Sequence, residues 1–364
     1  VPRHHAQNNV KIIVSGSCGF VGSTLINALL DEDPSLHITG FDNFIRPGSY
    51  LNREPLQRRG VSVFYADMRN PADLAALPLA DWVIDAAANP SVLAGTDGKS
   101  SSRQLLEHNL FGTINLLEFA KERAAGFILC STSRVYSVRA LAALPVEPKA
   151  GAYVLATGAA LPAGASARGI SEQFSTAAPV SLYGASKIAS ETIALEYGDT
   201  FDFPVWINRC GVLAGAGQFG KADQGIFSFW INSYLAGAPL SYIGFDGTGF
   251  QARDCLHPRD LVPLLTAQMR TARTSQPAII NIGGGAERAM SLAQLTQWCE
   301  ERFEPRQVAS NPQPRAFDVP WLVMDSTLAA THWNWKPRTT LHSILDEIAN
   351  HAKAHPNWLG ISGA

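Results

Sequence analysis

The run Val10-Lys11-Ile12-Ile13-Val14-Ser15-Gly16-Ser17-Cys18-Gly19-Phe20-Val21-Gly22 decides the fold of this chain. Val10, Ile12, Ile13 and Val14 make a short apolar β run, and Gly16, Gly19 and Gly22 follow at once. Phe20, Val21, Leu25, Ile26, Leu29 and Leu30 then recur at helical spacing. Leu36–Phe41 reads as a second strand, and Asp42 ends it. Strand, glycine turn, helix, strand and acid in this order describe a dinucleotide site. The glycines allow the tight turn, the close approach of a pyrophosphate and close helix packing. The free N–H groups and dipole of the helix start hold the anion. Asp42 is placed to accept from ribose hydroxyls and to repel a 2′-phosphate, which selects NAD over NADP.

Working outward, composition sets bounds. The chain has 364 residues, enough for one large or two fused domains, with 46% hydrophobic and 16% charged residues. A net charge of -2 without a long basic block argues against nucleic acid as the main partner. No apolar run reaches membrane-spanning length, and no signal-peptide core precedes the first strand. The cysteines at 18, 130, 210, 255 and 299 are scattered and form no CxxC pair, as in a reduced, cytoplasmic protein. Cys18 and Cys130 read as small packing residues. No clustered His, Cys or Asp spacing suggests a metal.

Strands at Val61–Tyr65, Trp82–Ala86, Phe127–Cys130, Val205–Asn208 and Ala278–Ile282 alternate with helices at Arg103–Ala124 and Ser181–Asp199. The pattern predicts an α/β fold, a Rossmann-type doubly wound parallel sheet, with a smaller C-terminal lobe. Residues 1–9 are expected to be disordered. Residues 10–208, with 250–285 contributing, form the expected NAD-binding domain; 209–249 and 286–360 form the expected substrate-binding lobe. Ser291 is placed to cap a helix over Leu292–Phe303. Val138–Gly169, rich in Ala, Pro and Gly, reads as a functional loop over the site.

Tyr183 and Lys187 lie four apart and share a helix face. A free phenol, with a pKa near ~10, needs a neighbouring cation to serve as a base at neutral pH. So assisted, it takes a proton from a sugar hydroxyl while hydride leaves the same carbon. Thr132 ends the fifth strand, on the rim where open α/β sheets bind ligands. Asp67, just past the third strand, either accepts from an adenine amino group or caps a turn. Small residues at Ala86, Ala87 and Ala88 suggest backbone lying against a ligand.

Gly16/Gly19/Gly22, Asp42, Asp67, Thr132 and Tyr183/Lys187 together resemble the extended short-chain dehydrogenases/reductases over residues 10–355. Arg253-Asp254-Cys255-Leu256-His257, Asn281-Ile282-Gly283-Gly284 and Trp335-Lys336-Pro337 continue the likeness. The resemblance implies a tightly held NAD and a nucleotide-sugar substrate. It implies a catalytic trio of Thr132, Tyr183 and Lys187, and further cofactor contacts from Phe20, Val21, Asn43, Met68 and Asn109. It implies a substrate diphosphate gripped by Arg253 and Arg315, with Asn89, Ser133, Arg134, Arg209, Gln218, Gln224 and His257 as weaker candidates. For His257 a structural hydrogen bond, and for Arg315 a salt bridge to Asp318, are the alternatives. It also implies a homodimer packed through Arg103–Ala124 and Ser181–Asp199.

Nucleotide-sugar 4,6-dehydratases of this family carry acids where Ser133 and Arg134 stand here, so dehydration is not expected. Gln218-Phe219, Asp223-Gln224-Gly225 and the insertion after Tyr136 are most similar to the CDP-paratose/CDP-tyvelose 2-epimerases, although Ser137 replaces their glycine. The expected reaction is 2-epimerisation of a CDP-hexose. The alternatives are UDP-sugar 4-epimerisation, a net dehydrogenase, and an NAD-binding regulatory protein without catalysis.

Overall fold

The computed structural model describes residues 10–96, 98, 101–123, 125–273 and 275–364. The expectation for residues 1–9 lies outside them. Seven parallel strands form the main sheet: β1 (Lys11–Ser15), β2 (His37–Asp42), β3 (Ser62–Tyr65), β4 (Trp82–Asp85), β5 (Gly126–Thr132), β6 (Val205–Cys210) and β7 (Ile279–Ile282). Their spatial order is β7-β6-β5-β4-β1-β2-β3. The order reverses between β1 and β4, the place where such sheets bind ligands at their carboxyl ends.

The strands read as apolar runs because both faces are covered. Along β1, Ile12 and Val14 enter a core with Leu25, Ile26 and Leu29 of helix α1 (Phe20–Glu32). Ile13 points the other way, into a core with Leu116 and Leu117 of α2 (Gly112–Arg123) and Ala194 of α3 (Ser181–Thr200). The helix expected from Arg103 starts at Ser102 and passes through a π segment, Glu107–Phe111, before α2. Ala124 lies outside the described residues.

A smaller four-stranded sheet joins Val212–Leu213, Ala252–Leu256, Ala289–Ser291 and Trp321–Leu322. Beside it, α4 (Ile226–Ala236) and α5 (Leu341–Ala354) share a core with Leu295 and Trp298. Ser291 caps its helix as expected: its Oγ accepts from Gln294 N–H, and the Gln294 side chain accepts from Ser291 N–H, both at 3.1 Å. Of the segment 250–285, Leu264, Leu265 and β7 pack on the main sheet, whereas Ala252–Leu256 belongs to the small one.

The segment 138–169 corrects the expectation of a loop over the site. It folds into a helix turn, Val138–Ala142, and a hairpin, Val146–Lys149 with Ala152–Leu155. A second short ladder pairs Ala165–Ser166 with Gly169–Ile170. Leu141, Leu144, Ala152 and Ile170 pack with Tyr136, Phe174 and Trp321–Met324. Its apolar residues are spaced for hairpins and corners, and they are spent on that core.

Candidate active site

A cavity of about 860 Å³ runs along the carboxyl ends of the main sheet and beneath the smaller lobe. The glycine turn forms one end. Gly16 has φ +59, and a Cβ there would stand 3.0 Å from Ala87 Cα. A Cβ on Gly22 would stand 2.2 Å from the Gly16 carbonyl oxygen. Asp42 is buried beside this turn and accepts from Cys18 N–H (3.0 Å) and Phe44 N–H (2.7 Å). Burial raises its pKa, and these backbone hydrogen bonds oppose the rise.

Ser15 ties the turn to β4. Its Oγ donates to Asp85 (2.7 Å) and accepts from Ala86 N–H (3.0 Å) and Ala87 N–H (2.9 Å). Thr113 Oγ1 donates to the other oxygen of Asp85 at 2.8 Å. This buried set holds the alanine segment against the cavity, and the sequence reading missed it.

The catalytic candidates meet opposite the turn. Thr132, Tyr183 and Lys187 all line the cavity. Thr132 Oγ1 accepts the Arg134 N–H at 3.1 Å, so its own proton is left to donate outward. Lys187 is 1% exposed, and among the described residues its Nζ has no hydrogen-bond partner. A buried ammonium without a partner costs free energy that a ligand hydroxyl would recover.

Gly16, Gly19, Phe20, Val21, Gly22, Asp42, Asn43, Met68, Ala86, Ala87 and Ala88 line the cofactor end, as do Asn89, Ser133, Arg134, Gln218, Gln224, Arg253 and Arg315 the rest. Three expected contacts stand elsewhere. Asp67 is off the cavity wall, held by Arg69 (2.6 Å) and by Asn43 Nδ2 (3.0 Å). The hydrogen bonds from Arg69 hold its carboxyl well below the usual range. Asn109 is fully buried, and it accepts from Asn89 N–H (2.8 Å) while donating to the Asn89 carbonyl (3.1 Å) and Ser186 Oγ (3.3 Å). It clamps the strand-four loop onto the catalytic helix.

Arg209 is likewise corrected. Its Nη2 and Nε hold Glu191 at 2.7 and 3.1 Å, and its guanidinium lies over the Tyr136 ring at 5.4 Å. Arg209 does not line the cavity, because β6 aims it at Glu191 of α3 instead. His257 takes the structural alternative, with Nδ1 accepting from Arg259 N–H at 3.1 Å.

Arg253 donates to Asp318 (2.9 Å) and to the Val319 carbonyl (2.7 Å). Arg315 instead donates to the Ala222 carbonyl at 3.1 Å. The salt bridge considered for Arg315 therefore belongs to Arg253. Most of the segment 218–225 lines the cavity. Ser91 Oγ donates to Asp223 at 2.5 Å, and Arg46 donates to the Phe219 carbonyl. Phe219 stacks on Trp358 at 5.2 Å, and Trp358 Nε1 donates to the Gln218 carbonyl at 2.9 Å. In the sequence Asp223 stands out only as part of Asp223-Gln224-Gly225, and Arg46 stands in a polar loop without periodicity; their tertiary partners show how each is held.

Burial pushes the Cys130 thiol up to about 12, which leaves it a packing group. Among the described residues, no group of three His, Cys, Asp or Glu is placed to hold a metal, and no helix is long and apolar enough to cross a membrane.

Residues 12–283 match the model of the NAD dependent epimerase/dehydratase family. The chain belongs to that family. It is accordingly an NAD-dependent enzyme of the nucleotide-sugar epimerase/dehydratase class. It is 26% identical to a CDP-paratose 2-epimerase of Salmonella typhi, over 91% of this chain and 96% of that one. A solved UDP-glucuronic acid 4-epimerase from Bacillus cereus, in complex with UDP-glucuronic acid and NAD, superposes with a TM-score of 0.72. Its identity is 26%, covering 95% of this chain and 99% of that one. Pal from Bacillus thuringiensis shares the fold, with a TM-score of 0.76 at 23% identity, covering 95% and 99% of the two chains. The residues present fit the family's cofactor: a glycine cradle that a Cβ would fill, and the orphaned ammonium of Lys187.

Proposed function

We propose that this protein is a nucleotide-sugar epimerase that oxidises a ring hydroxyl transiently and restores it inverted, with a CDP-hexose 2-epimerase of the CDP-tyvelose/CDP-paratose type as the best specific reading. One observation carries the class. Thr132 and Tyr183 face one cavity together with the glycine turn, and the positions after Thr132 hold Ser133 and Arg134 rather than acids. An arginine does not serve as a general acid at neutral pH.

Gly16, Gly19, Gly22, Asp42 and Lys187 would hold the NAD. When bound, NAD supplies a hydride acceptor and returns the hydride, so none is consumed. Tyr183 takes the hydroxyl proton on its phenolic oxygen and later gives it back. Thr132 donates its free proton to the same substrate oxygen, since its lone pair is already engaged by Arg134 N–H. Lys187, on the same face of α3, sets a positive charge beside the phenol. The segment 218–225 keeps water from the keto-sugar while it turns. Arg253 and Arg315 take the diphosphate, for which guanidinium forks are suited.

The CDP reading is supported by the relative from Salmonella typhi and by the basic residue after Thr132. A UDP-sugar 4-epimerase is the second reading, supported by the likeness to the Bacillus cereus enzyme. We take the protein to act as a homodimer through the outer faces of α2 and α3, where Phe111 and Phe201 stand exposed at the helix ends. The test gives purified protein, without added cofactor, CDP-, UDP-, GDP- and dTDP-sugars in deuterated water. An isomer of unchanged mass with no deuterium on carbon is expected, and it identifies the base and the inverted carbon. Loss of water, or deuterium on carbon, would overturn the proposal.

A further inference from the structure

Arg134 leaves the catalytic strand in the short turn Ser133–Val135, two residues past Thr132. A guanidinium carries five N–H donors. This one lines the cavity and, among the described residues, makes a single side-chain hydrogen bond, 3.5 Å to the Phe317 carbonyl. Gly184 fixes its place relative to the base. A Cβ at 184 would lie 2.3 Å from the Arg134 carbonyl oxygen, so the helix turn carrying Tyr183 rests directly on the turn carrying Arg134.

The far end of Arg134 is equally defined. Phe317 packs against the cluster that contains Tyr183, Val92 and Leu105. In sequence it stands between Arg315 and Asp318, the residues that border the anion clamp. The guanidinium therefore spans the gap between the base and the clamp. Burial lowers its pKa to about 10, Arg253 and Arg315 add to that, and Asp318 opposes it. Asp318 is the one carboxylate among these neighbours, and it already accepts from Arg253 (2.9 Å) and Gln251 (3.1 Å). Asp254 also acts on Arg253. Around Arg134 itself two further guanidiniums stand against one carboxylate that is already engaged, so its neighbourhood is net positive and suited to an anion.

We infer that Arg134 is a third ligand of the substrate diphosphate and takes the phosphate on the sugar side. This rests on the nucleotide-sugar reading. Arg253 emerges from the strand Ala252–Leu256, where it pairs with Met290, another residue of the cavity wall. Arg134 emerges from the catalytic strand, so of the three it meets the phosphate nearest the reacting carbon.

The experiment titrates NAD-loaded protein with CDP, CMP, UDP and UMP by calorimetry, for the wild type, Arg134→Gln and Arg134→Lys. In Arg134→Gln, whichever diphosphate binds should lose about tenfold in affinity, the scale of one charge-assisted hydrogen bond. The matching monophosphate should stay within about twofold, because it lacks the sugar-side phosphate. Arg134→Lys should recover part of the loss. Equal weakening of mono- and diphosphate in a glutamine variant that unfolds at the wild-type midpoint, or no change in either, would overturn the inference. If neither diphosphate bound the wild type, the nucleotide-sugar reading would fall with it. A misfolded glutamine variant would lose monophosphate binding too, and the lysine variant then decides: diphosphate affinity below wild type with monophosphate binding kept supports the inference, and wild-type binding of both overturns it.

Discussion

Replacing Glu191 by leucine should destabilise the protein by about 3–5 kcal/mol, the cost of stranding a buried charge. Glu191 is 3% exposed and Arg209 7%. Burial works against the charge on Arg209, but the hydrogen bond and charge of Glu191 outweigh it and hold the guanidinium above its ordinary pKa. Removing the carboxylate leaves, among the described residues, the Tyr136 hydroxyl at 3.4 Å as the side-chain acceptor for Arg209. It also strands Ser131 Oγ, which donates to Glu191 at 2.5 Å, worth about 1 kcal/mol more. Glu191→Leu with Arg209→Met removes the stranded charge, so the double variant should be more stable than Glu191→Leu alone. The assay is urea unfolding of NAD-saturated protein followed by tryptophan fluorescence, on both single variants and the double. A loss under about 1 kcal/mol for Glu191→Leu, or a double-variant loss equal to the sum of the singles, would refute the reasoning. The same series tests the placement of Arg209. Arg209→Met should leave KM unchanged, and a raised KM with unchanged stability would restore it as a substrate contact.

Tyr183→Phe should keep bound NAD and lose on the order of 10²–10⁴-fold in turnover, the scale of general-base removal; a fully active variant would dismiss Tyr183 as the base. Asp42→Ala should weaken NAD more than NADP in fluorescence titration, and because Asp42 also holds Cys18 N–H and Phe44 N–H, it should lower thermal stability as well. An unchanged NAD preference would refute the ribose assignment. His351 packs at 4.5 Å from both His355 and Trp358, and burial, then the neighbouring His355, lowers its pKa to about 4. Its unfolded value lies near ~6.5, so the unfolded chain binds the extra proton first and stability falls as pH drops from about 6.5 to 4. After discounting for partial exposure, about 1–2 kcal/mol of that loss should vanish in His351→Leu, read from urea midpoints at pH 7 and 4.5. Equal pH slopes in the two proteins would exclude His351 as the source.

The parts of the site legible in the sequence are those whose chemistry is local. Gly16, Gly19 and Gly22 are tied by contacts within six residues of chain, and Tyr183 and Lys187 by one helix turn. Asp42 follows from the strand it ends. Asp67, Asn109 and Arg209 could not be sorted in this way. Each bears a side chain suited to a ligand and is held by a partner distant in sequence, Asn43, Ser186 and Glu191, although the nearby Arg69 also holds Asp67. Arg46 was obscured for the converse reason, since a loop residue becomes a cavity wall only through contacts across the fold. The insertion after Tyr136 misled because glycine and proline punctuate hairpins as readily as mobile loops.

The strand order has a consequence for synthesis. After β4 returns to the side of β1, each later strand adds to the free outer edge, β5 on β4, β6 on β5 and β7 on β6. A chain emerging from the ribosome, which folds from its N-terminal end, can therefore extend the sheet without displacing a strand already in place. Thr132, Tyr183 and Lys187 are all out before β7 is laid down, while Arg315 and Asp318 follow only afterwards. At that point every residue of the dinucleotide cradle has been made, and the anion clamp still lacks Arg315 and Asp318. A cofactor captured at that stage would be roofed over as the later segments dock, loaded during manufacture rather than drawn through the mouth of the finished enzyme.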